Sequence, residues 1–184
     1  MLFCLCGKSA SGKSTVEKTI VDEYGVKKIT SYTTREPRLG EEDGVDYFFL
    51  TNEDFEAKKN QGLFDEVARY NNLNYGLSLK MNNIDIPNED AIAVVTINGY
   101  EQLKEKYGTD LVKLFYFDID DWIRVTRAKN RGDDVYEVAR RVLADREDFK
   151  DAKMLADEVI EINEKDSIDF ISNVVYNLIK SYNK

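Results

Sequence analysis

The sequence predicts an α/β fold in which a five-stranded parallel sheet is flanked by helices. Short apolar runs that suit buried strands alternate along the chain with amphipathic segments that suit helices. A glycine-rich loop separates the first of these strands from the first helix. With 184 residues, the chain is expected to form one domain around one core.

The individual elements are predicted from hydrophobic periodicity and from residues that begin or end helices. The predicted strands are residues 1–6, 26–30, 91–97, 111–117 and 158–162. The predicted helices are residues 15–24, 52–60 (capped by Thr51 or Asn52), 100–107, 120–129 and 135–150, with a last helix that begins at Asp166 or Ser167. Residues 71–76 are predicted as a turn cluster, and residues 77–86 as a helix that ends before Pro87.

The glycine-rich loop, residues 7–15, fits the spacing G-x-x-x-x-G-K-[ST] of a phosphate-binding loop. Gly7 and Gly12 let the backbone turn its N–H groups toward a phosphate, and the helix N-terminus adds partial positive charge. Lys13 would reach the outer phosphates of ATP, and the Ser14 hydroxyl would ligate Mg²⁺. The loop residues expected to bind ATP are Gly7, Ser9, Ala10, Ser11, Gly12, Lys13, Ser14 and Thr15. The strand before the loop and the helix after it argue against a chance match.

Composition excludes several classes of function. The net charge of −9 argues against a broad nucleic-acid surface, which needs a basic field. The chain contains no histidine, so catalysis would depend on Lys, Arg, carboxylates and a metal. Cys4 and Cys6 face one side of a strand and are expected to pack as small apolar residues. The apolar start is too short to span a membrane, so a cytoplasmic protein without a membrane partner is expected.

A polar stretch from residue 31 to residue 47 carries Arg35 and Arg38, three positions apart around Pro37. Extended backbone before Pro37 could aim both guanidinium groups at one anion. The alternative interpretation is a solvated loop with surface charge. The density of Thr, Arg and Tyr in this stretch favours a functional role.

This stretch carries a specific resemblance. It reads Thr33-Thr34-Arg35-x-Pro37-Arg38-x-Gly40-Glu41-x-x-Gly44-x-Asp46-Tyr47-x-Phe49, which resembles the signature of the guanylate kinase family. Further matches to that family follow in order and spacing: Phe64-x-Glu66-x-Ala68, Asn74-Tyr75-Gly76, Arg127-x-x-x-Arg131-Gly132 and Arg140-Arg141. The resemblance covers essentially the whole chain.

The resemblance implies a P-loop NTPase core with two additions. The core would comprise residues 1–32, 81–123 and 147–184, with a monophosphate-binding insertion at 33–80 and a helical lid at 124–146. It implies an ATP-dependent nucleoside monophosphate kinase that uses Mg²⁺ and makes GDP from GMP, or acts on dGMP. ATP and GMP would be its partners, and no nucleic acid or membrane is implied.

The resemblance also assigns roles to single residues. Arg35, Arg38, Tyr47 and Tyr75 would hold the acceptor phosphate, with support from Ser31 and Glu41. Glu66 would accept hydrogen bonds from the N1–H and exocyclic amine of guanine, and Thr96 would assist it. The lid residues Arg127, Arg131 and Arg141 would close over the transferring phosphoryl group, with Arg127 and Arg131 also touching ATP and Arg141 also touching the acceptor. The residues implied as catalytic are Lys13, Arg35, Arg131 and Arg141. The alternative for the lid arginines is a charged helix face.

The chain departs from the family pattern at three positions. The family usually has Ser or Thr after Tyr-Gly, where this chain has Leu77, with Ser78 one position further. It usually has two aspartates at the end of the third strand, and the matching positions here are Thr96 and Asn98. Losing a paired polar contact to a base relaxes discrimination, so a changed base specificity stays open.

Two alternatives to a guanylate kinase follow from the same residues. A related kinase could use another acceptor, such as a different nucleoside monophosphate or a ribose bisphosphate, although the intact signature and Glu66 argue against it. A catalytically silent module that binds partner proteins would typically have a degraded phosphate-binding loop. Here Gly12, Lys13 and Ser14 are all present.

Overall fold

The structure is a computed structural model that describes residues 1–38, 40–70 and 72–183. In chain order its elements are β1 (Leu2–Gly7), α1 (Lys13–Tyr24), β2 (Lys27–Lys28), β3 (Tyr32–Thr33), β4 (Phe48–Phe49), α2 (Asn52–Asn60), β5 (Glu66–Tyr70), β6 (Leu73–Leu77), β7 (Ala91–Val94), α3 (Ile97–Tyr107), β8 (Val112–Ile119), α4 (Asp121–Asn130), α5 (Val135–Asp148), α6 (Ala152–Leu155), β9 (Glu158–Ile162) and α7 (Ile168–Tyr182).

A five-stranded sheet with the order β2-β7-β1-β8-β9 forms the centre of the molecule. All of its strand pairs are parallel, which confirms the predicted sheet. Strand β7 ends at Val94, three residues before the predicted end, because Thr96 already caps α3. The Thr96 hydroxyl accepts the Gly99 N–H at 3.0 Å.

The core has two layers, one on each face of β1, whose residues are all buried. Leu2, Cys4 and Cys6 point to one face and pack in a cluster with α3. Phe3 and Leu5 point to the other face, where they meet α1 and α7. Both cysteines are free and buried, as the spacing predicted. The central strand therefore carries helices on both sides and ends in the glycine-rich loop.

A second, smaller sheet has the order β4-β3-β6-β5 and faces the carboxyl end of the central sheet. Strands β5 and β6 form an antiparallel hairpin in which Glu66 is opposite Leu77. The predicted turn cluster at residues 71–76 is therefore wrong for residues 73–76, which belong to β6; Asn71 lies outside the described residues. Asn72, at φ 62°, is in the left-handed conformation near the reversal.

The predicted helix at residues 77–86 is also wrong, since Leu77 is the last residue of β6 and residues 79–83 form turns. Their polar side chains bond to the backbone instead: Ser78 Oγ accepts the Met81 N–H at 3.2 Å. Asn82 Oδ1 accepts the Thr30 N–H at 2.9 Å, and its Nδ2 donates to Ser78 O at 2.8 Å. Such side-chain bonds compete with helix formation.

Helix ends follow the capping residues closely. Thr51 caps α2 and Ser167 caps α7, each through its side-chain oxygen. The caps are therefore not the alternatives Asn52 and Asp166. Asp120 and Asp134 cap α4 and α5 in the same way. Across residues 1–38, 40–70 and 72–183, no helix combines the length and the apolar character needed to cross a bilayer.

Candidate functional site

A cavity of about 210 Å³ lies between the glycine-rich loop and the second sheet. We call it the main cavity. Its walls include Gly7, Ser9, Ala10, Ser11, Gly12, Lys13, Ser14, Thr15, Ser31, Arg35, Arg38, Tyr47, Glu66, Tyr75, Thr96 and Arg131. The structure thus brings together sixteen residues that the sequence singled out, from segments far apart in the chain. Glu41, Arg127 and Arg141 are not among its lining residues.

The glycine-rich loop turns sharply where β1 enters α1. A Cβ atom on Gly7 would come within 2.8 Å of the Phe117 carbonyl oxygen, so the close strand contact requires glycine there. Gly12 adopts φ 98°, a left-handed conformation, and lies at the N-cap of α1. The loop therefore places backbone N–H groups and a helix N-terminus at the wall of the main cavity.

Lys13 folds back over this loop. Its Nζ donates to the carbonyl oxygens of Gly7 at 2.5 Å and Lys8 at 2.9 Å, and to Ser11 Oγ at 3.1 Å. Enclosure by the loop lowers the pKa of Lys13 to about 8. Its hydrogen bonds go to neutral oxygens, so an anion in the main cavity would stabilise its charged form.

Asp145 was not predicted and is fully buried at the base of the loop. Its Oδ2 accepts the Ser9 N–H at 3.0 Å and Arg124 Nη1 at 2.6 Å, and its Oδ1 accepts the Tyr70 hydroxyl. One carboxylate therefore joins the glycine-rich loop to α4, α5 and β5. Asp145 could not be singled out from the sequence, because it lies among the many charged residues of α5.

Glu41 holds the two arginines of the opposite wall. Its Oε1 accepts Arg35 Nη2 at 2.8 Å, and its Oε2 accepts the Arg38 backbone N–H at 2.8 Å. Partial burial opposes ionisation of Glu41, but the hydrogen bonds from Arg35 and from the Arg38 backbone, together with the charges of both arginines, outweigh it and keep the pKa of Glu41 below its usual value. The Arg35 guanidinium also lies 5.4 Å from the centroid of the Tyr47 ring.

The surroundings of Arg38 are strongly cationic. Partial enclosure lowers the pKa of Arg38, and the nearby charges of Arg35, Arg131 and Arg141 lower it further. Like charges held together raise the free energy of the empty site, and an anion with two or more negative charges would relieve this repulsion.

Glu66 lies at the other end of the main cavity with a 4% exposed side chain. Within the described residues its Oε2 has no hydrogen-bond partner. Burial, and then the charge of Asp65, raises the pKa of Glu66 to about 8. A Cβ atom on Gly99 would come within 2.7 Å of Glu66 Oε2, so Gly99 makes room for the carboxyl. Gly99 was not predicted, and its one signal was a glycine in the first turn of a helix.

The family model for guanylate kinase matches residues 2–181. The chain belongs to the guanylate kinase family.

Named relatives agree with this assignment. The guanylate kinase of Methylobacillus flagellatus is 33% identical over 81% of this chain and 75% of that protein. The guanylate kinase of Granulibacter bethesdensis is 28% identical over 96% of this chain and 84% of that protein. That of Geobacter metallireducens is 36% identical over 58% of this chain, and the chain spans about half (54%) of that relative. The crystal structure of guanylate kinase from Anaplasma phagocytophilum shares the fold, with a TM-score of 0.73 at 20% identity over 98% of this chain and 85% of that one.

The structure shows where each residue that departs from the guanylate kinase pattern lies. Leu77 is fully buried and does not line the main cavity. The Ser78 hydroxyl accepts the Met81 N–H within the turn that follows β6. Thr96 lines the main cavity, as predicted, while also capping α3. Asn98 does not line the main cavity. It is exposed and bonds Gln102, whereas Val94 lines the wall.

Two of the three arginines expected in the lid, Arg131 and Arg141, have acidic partners in this structure. Arg131 Nε donates to Asp133 at 2.9 Å, and Arg141 Nε donates to Glu137 at 2.9 Å. Arg127 Nη1 donates to the Ser11 carbonyl at 3.4 Å and thus contacts the glycine-rich loop. Of these three arginines, only Arg131 lines the main cavity.

The raised pKa of Glu66 predicts a pH-dependent stability. The folded protein keeps the Glu66 proton up to about pH 8, whereas the unfolded chain releases it near pH 4.5. The free energy of unfolding should therefore fall as pH rises through this window. In Glu66→Gln the fall should be smaller, by at least about 1 kcal/mol at pH 9. Urea unfolding of both proteins between pH 5 and pH 9 measures this difference in the free energy of unfolding.

The matched control is Glu56→Gln, which neutralises an exposed carboxylate on α2. Its stability should follow that of the wild type across the whole pH range. Parallel curves for wild type and Glu66→Gln would contradict the buried, unpaired state of this carboxyl.

Proposed function

We propose that this chain transfers the γ-phosphoryl group of MgATP to GMP, or to dGMP, to give ADP and GDP or dGDP. The observation that carries this proposal is the buried Glu66 carboxyl, one oxygen of which has no hydrogen-bond partner among the described residues, in the cavity that also holds the glycine-rich loop. The loop offers donors for phosphates, and Glu66 offers an acceptor for a base.

Guanine supplies the donors that Glu66 lacks. Its N1–H and exocyclic amine lie side by side and can both donate to one carboxylate, whereas adenine has no such pair. These hydrogen bonds would stabilise the ionised form and lower the pKa of Glu66 from its raised value. Thr96, on the same wall, offers a neutral hydroxyl close to the base.

The acceptor phosphate would lie against Arg35, Arg38, Tyr47 and Tyr75, with Ser31 and Glu41 in support. Forked guanidinium groups and phenolic hydroxyls suit a phosphate dianion. The Tyr47 and Tyr75 rings are 6.2 Å apart, centroid to centroid. Burial and the negative charge of Glu17 raise the pKa of Tyr47, so its hydroxyl remains a donor.

Ser14 would hold Mg²⁺ together with phosphate oxygens and water. Among the described residues, no three acidic, Cys or His side chains form a cluster that could hold a metal, which fits an ion carried largely by nucleotide phosphates. Mg²⁺, when bound, screens the charge of the phosphates. Lys13 would hold the outer phosphates in place.

Transfer would proceed by direct in-line attack of an acceptor phosphate oxygen. No general base is required, because a monophosphate dianion is already a nucleophile. Lys13, Arg35, Arg131 and Arg141 would neutralise the charge that moves with the phosphoryl group, and Arg127 would contact ATP. To reach the substrate, Arg141 would exchange its ion pairs with Asp133 and Glu137, and residues 124–146 would act as a closing lid. Residues 33–80 would then be the monophosphate-binding insertion, and the remainder the core.

Lys13→Ala should reduce kcat by at least about 100-fold, because it removes the cation at the outer phosphates. The fold should be retained, since Lys13 bonds only within its loop. A coupled assay with MgATP and GMP measures the rate, and circular dichroism reports the fold. The control is Lys8→Ala, whose ammonium is directed toward Asp121 at 3.4 Å. Normal turnover in a folded Lys13→Ala protein would exclude this mechanism.

Glu66→Ala should lower the ratio of kcat/KM for GMP over AMP by about tenfold or more, because the guanine donors lose their acceptor. Comparison of GMP with IMP, which lacks the exocyclic amine, isolates the second hydrogen bond. Glu56→Ala is the control and should keep the wild-type ratios. If Glu66→Ala keeps them too, Glu66 has no part in reading the base.

A further inference from the structure

Glu17 is a carboxylate in a position that packing alone would give to an apolar residue. It lies on α1, one helical turn after Ser14, beside the buried residues Val16 and Ile20. Its side chain is 7% exposed, and burial raises the pKa of Glu17 to about 7. Buried carboxylates are kept where they have a partner.

That partner is Lys28 on β2. Lys28 Nζ lies 3.7 Å from Glu17 Oε2, and the same ammonium donates to the carbonyl oxygens of Val45 at 2.7 Å and Asp46 at 3.3 Å. One cation therefore joins three separate parts of the fold: the helix after the glycine-rich loop, an edge strand of the central sheet, and the segment just before Tyr47.

Among the described residues, neither apolar core cluster includes a member of the segment from Gly40 to Tyr47. A second cavity of about 260 Å³, which we call the side cavity, lies between it and α1. The side cavity shares Ser14, Ser31, Tyr47 and Val94 with the main cavity. Val45 is 54% exposed, and the segment is tied internally by hydrogen bonds from Gly44 N–H to Tyr47 O and from Glu42 N–H to Asp46 Oδ2.

A segment that borders a cavity needs polar anchors to keep a fixed position. The two hydrogen bonds from Lys28 supply such an anchor next to Tyr47, and Glu17 fixes the ammonium that makes them. Small displacements of a binding group weaken its contacts steeply, so the placement of Tyr47 depends on this link.

We propose that Lys28, held by Glu17, is a positioning residue of the acceptor site, which fixes residues 45 and 46 and thereby Tyr47 against Arg35. The inference rests on the proposed function, since Tyr47 is assigned there to the acceptor phosphate. It predicts different effects on the two substrates. Loss of the anchor should weaken binding of the acceptor, whereas the glycine-rich loop keeps its own contacts.

The first test is Lys28→Met, which keeps the apolar stem and removes the ammonium. By isothermal titration, the Kd for GMP should rise about tenfold, whereas the Kd for ATP should change less than about twofold. Lys28→Arg should restore most of the GMP affinity, because a guanidinium can donate to two carbonyls. The control is Lys27→Met on the same strand, whose exposed ammonium pairs with Glu89 and should leave both affinities unchanged.

Hydrogen exchange tests the anchor without any nucleotide. Lys28→Met should speed the exchange of the Gly44 and Asp46 amides relative to the wild type, with no change in α3. If wild type fails to bind GMP, the proposed function falls, while this exchange result still decides on the anchor. Unchanged exchange at residues 44–46, or equal losses of GMP and ATP affinity, would overturn the inference.

A second variant covers the case in which Lys28→Met does not fold because the buried Glu17 loses its charged partner. Glu17→Leu combined with Lys28→Met removes both charges and suits the apolar surroundings. The double variant still lacks the donor to residues 45 and 46, so its GMP affinity should fall about tenfold as well. Wild-type GMP affinity in this folded double variant would show that the pair has no positioning role.

Discussion

The site depends on one constraint: ionisable groups are enclosed in the main cavity without an opposite charge in hydrogen-bond contact. Lys13 bonds only neutral oxygens, and one oxygen of Glu66 has no partner among the described residues. Enclosure shifts the pKa of both groups toward about 8 from opposite sides. An anion would stabilise the charged form of Lys13, and a base with paired donors would stabilise the ionised form of Glu66, which supports a phosphate beside the first and a guanine beside the second.

The surrounding structure keeps these groups in place. Asp145 ties the glycine-rich loop to α4 and α5, and Glu41 fixes Arg35 and the backbone of Arg38 on the opposite wall. Gly99 leaves the space that the Glu66 carboxyl occupies. The proposed anchor at Lys28 extends the same principle, since it replaces packing with hydrogen bonds beside a cavity. Rigid supports therefore surround a site in which Lys13 and one oxygen of Glu66 lack a charged partner among the described residues.

The sequence predicted the central sheet well because its strands are continuous apolar runs, and it predicted the cavity walls through motifs. It failed where structure depends on distant partners. Strand β6 mixes polar and apolar residues and exists by pairing with β5 and β3. Residues 78–83 turn because Ser78 and Asn82 bond backbone groups, one of them on Thr30. Asp145 and Gly99 gain their importance only from neighbours that the fold brings to them.

The most direct test of the central claim is the proton balance of GMP binding. Isothermal titration at pH 7 in buffers of different ionisation enthalpy counts the protons released when GMP binds. If guanine ionises Glu66, the wild type should release close to one proton more than Glu66→Gln, because the pKa of Glu66 starts at about 8. Equal proton release by the two proteins would contradict the account, since the buried carboxyl would then not respond to the base.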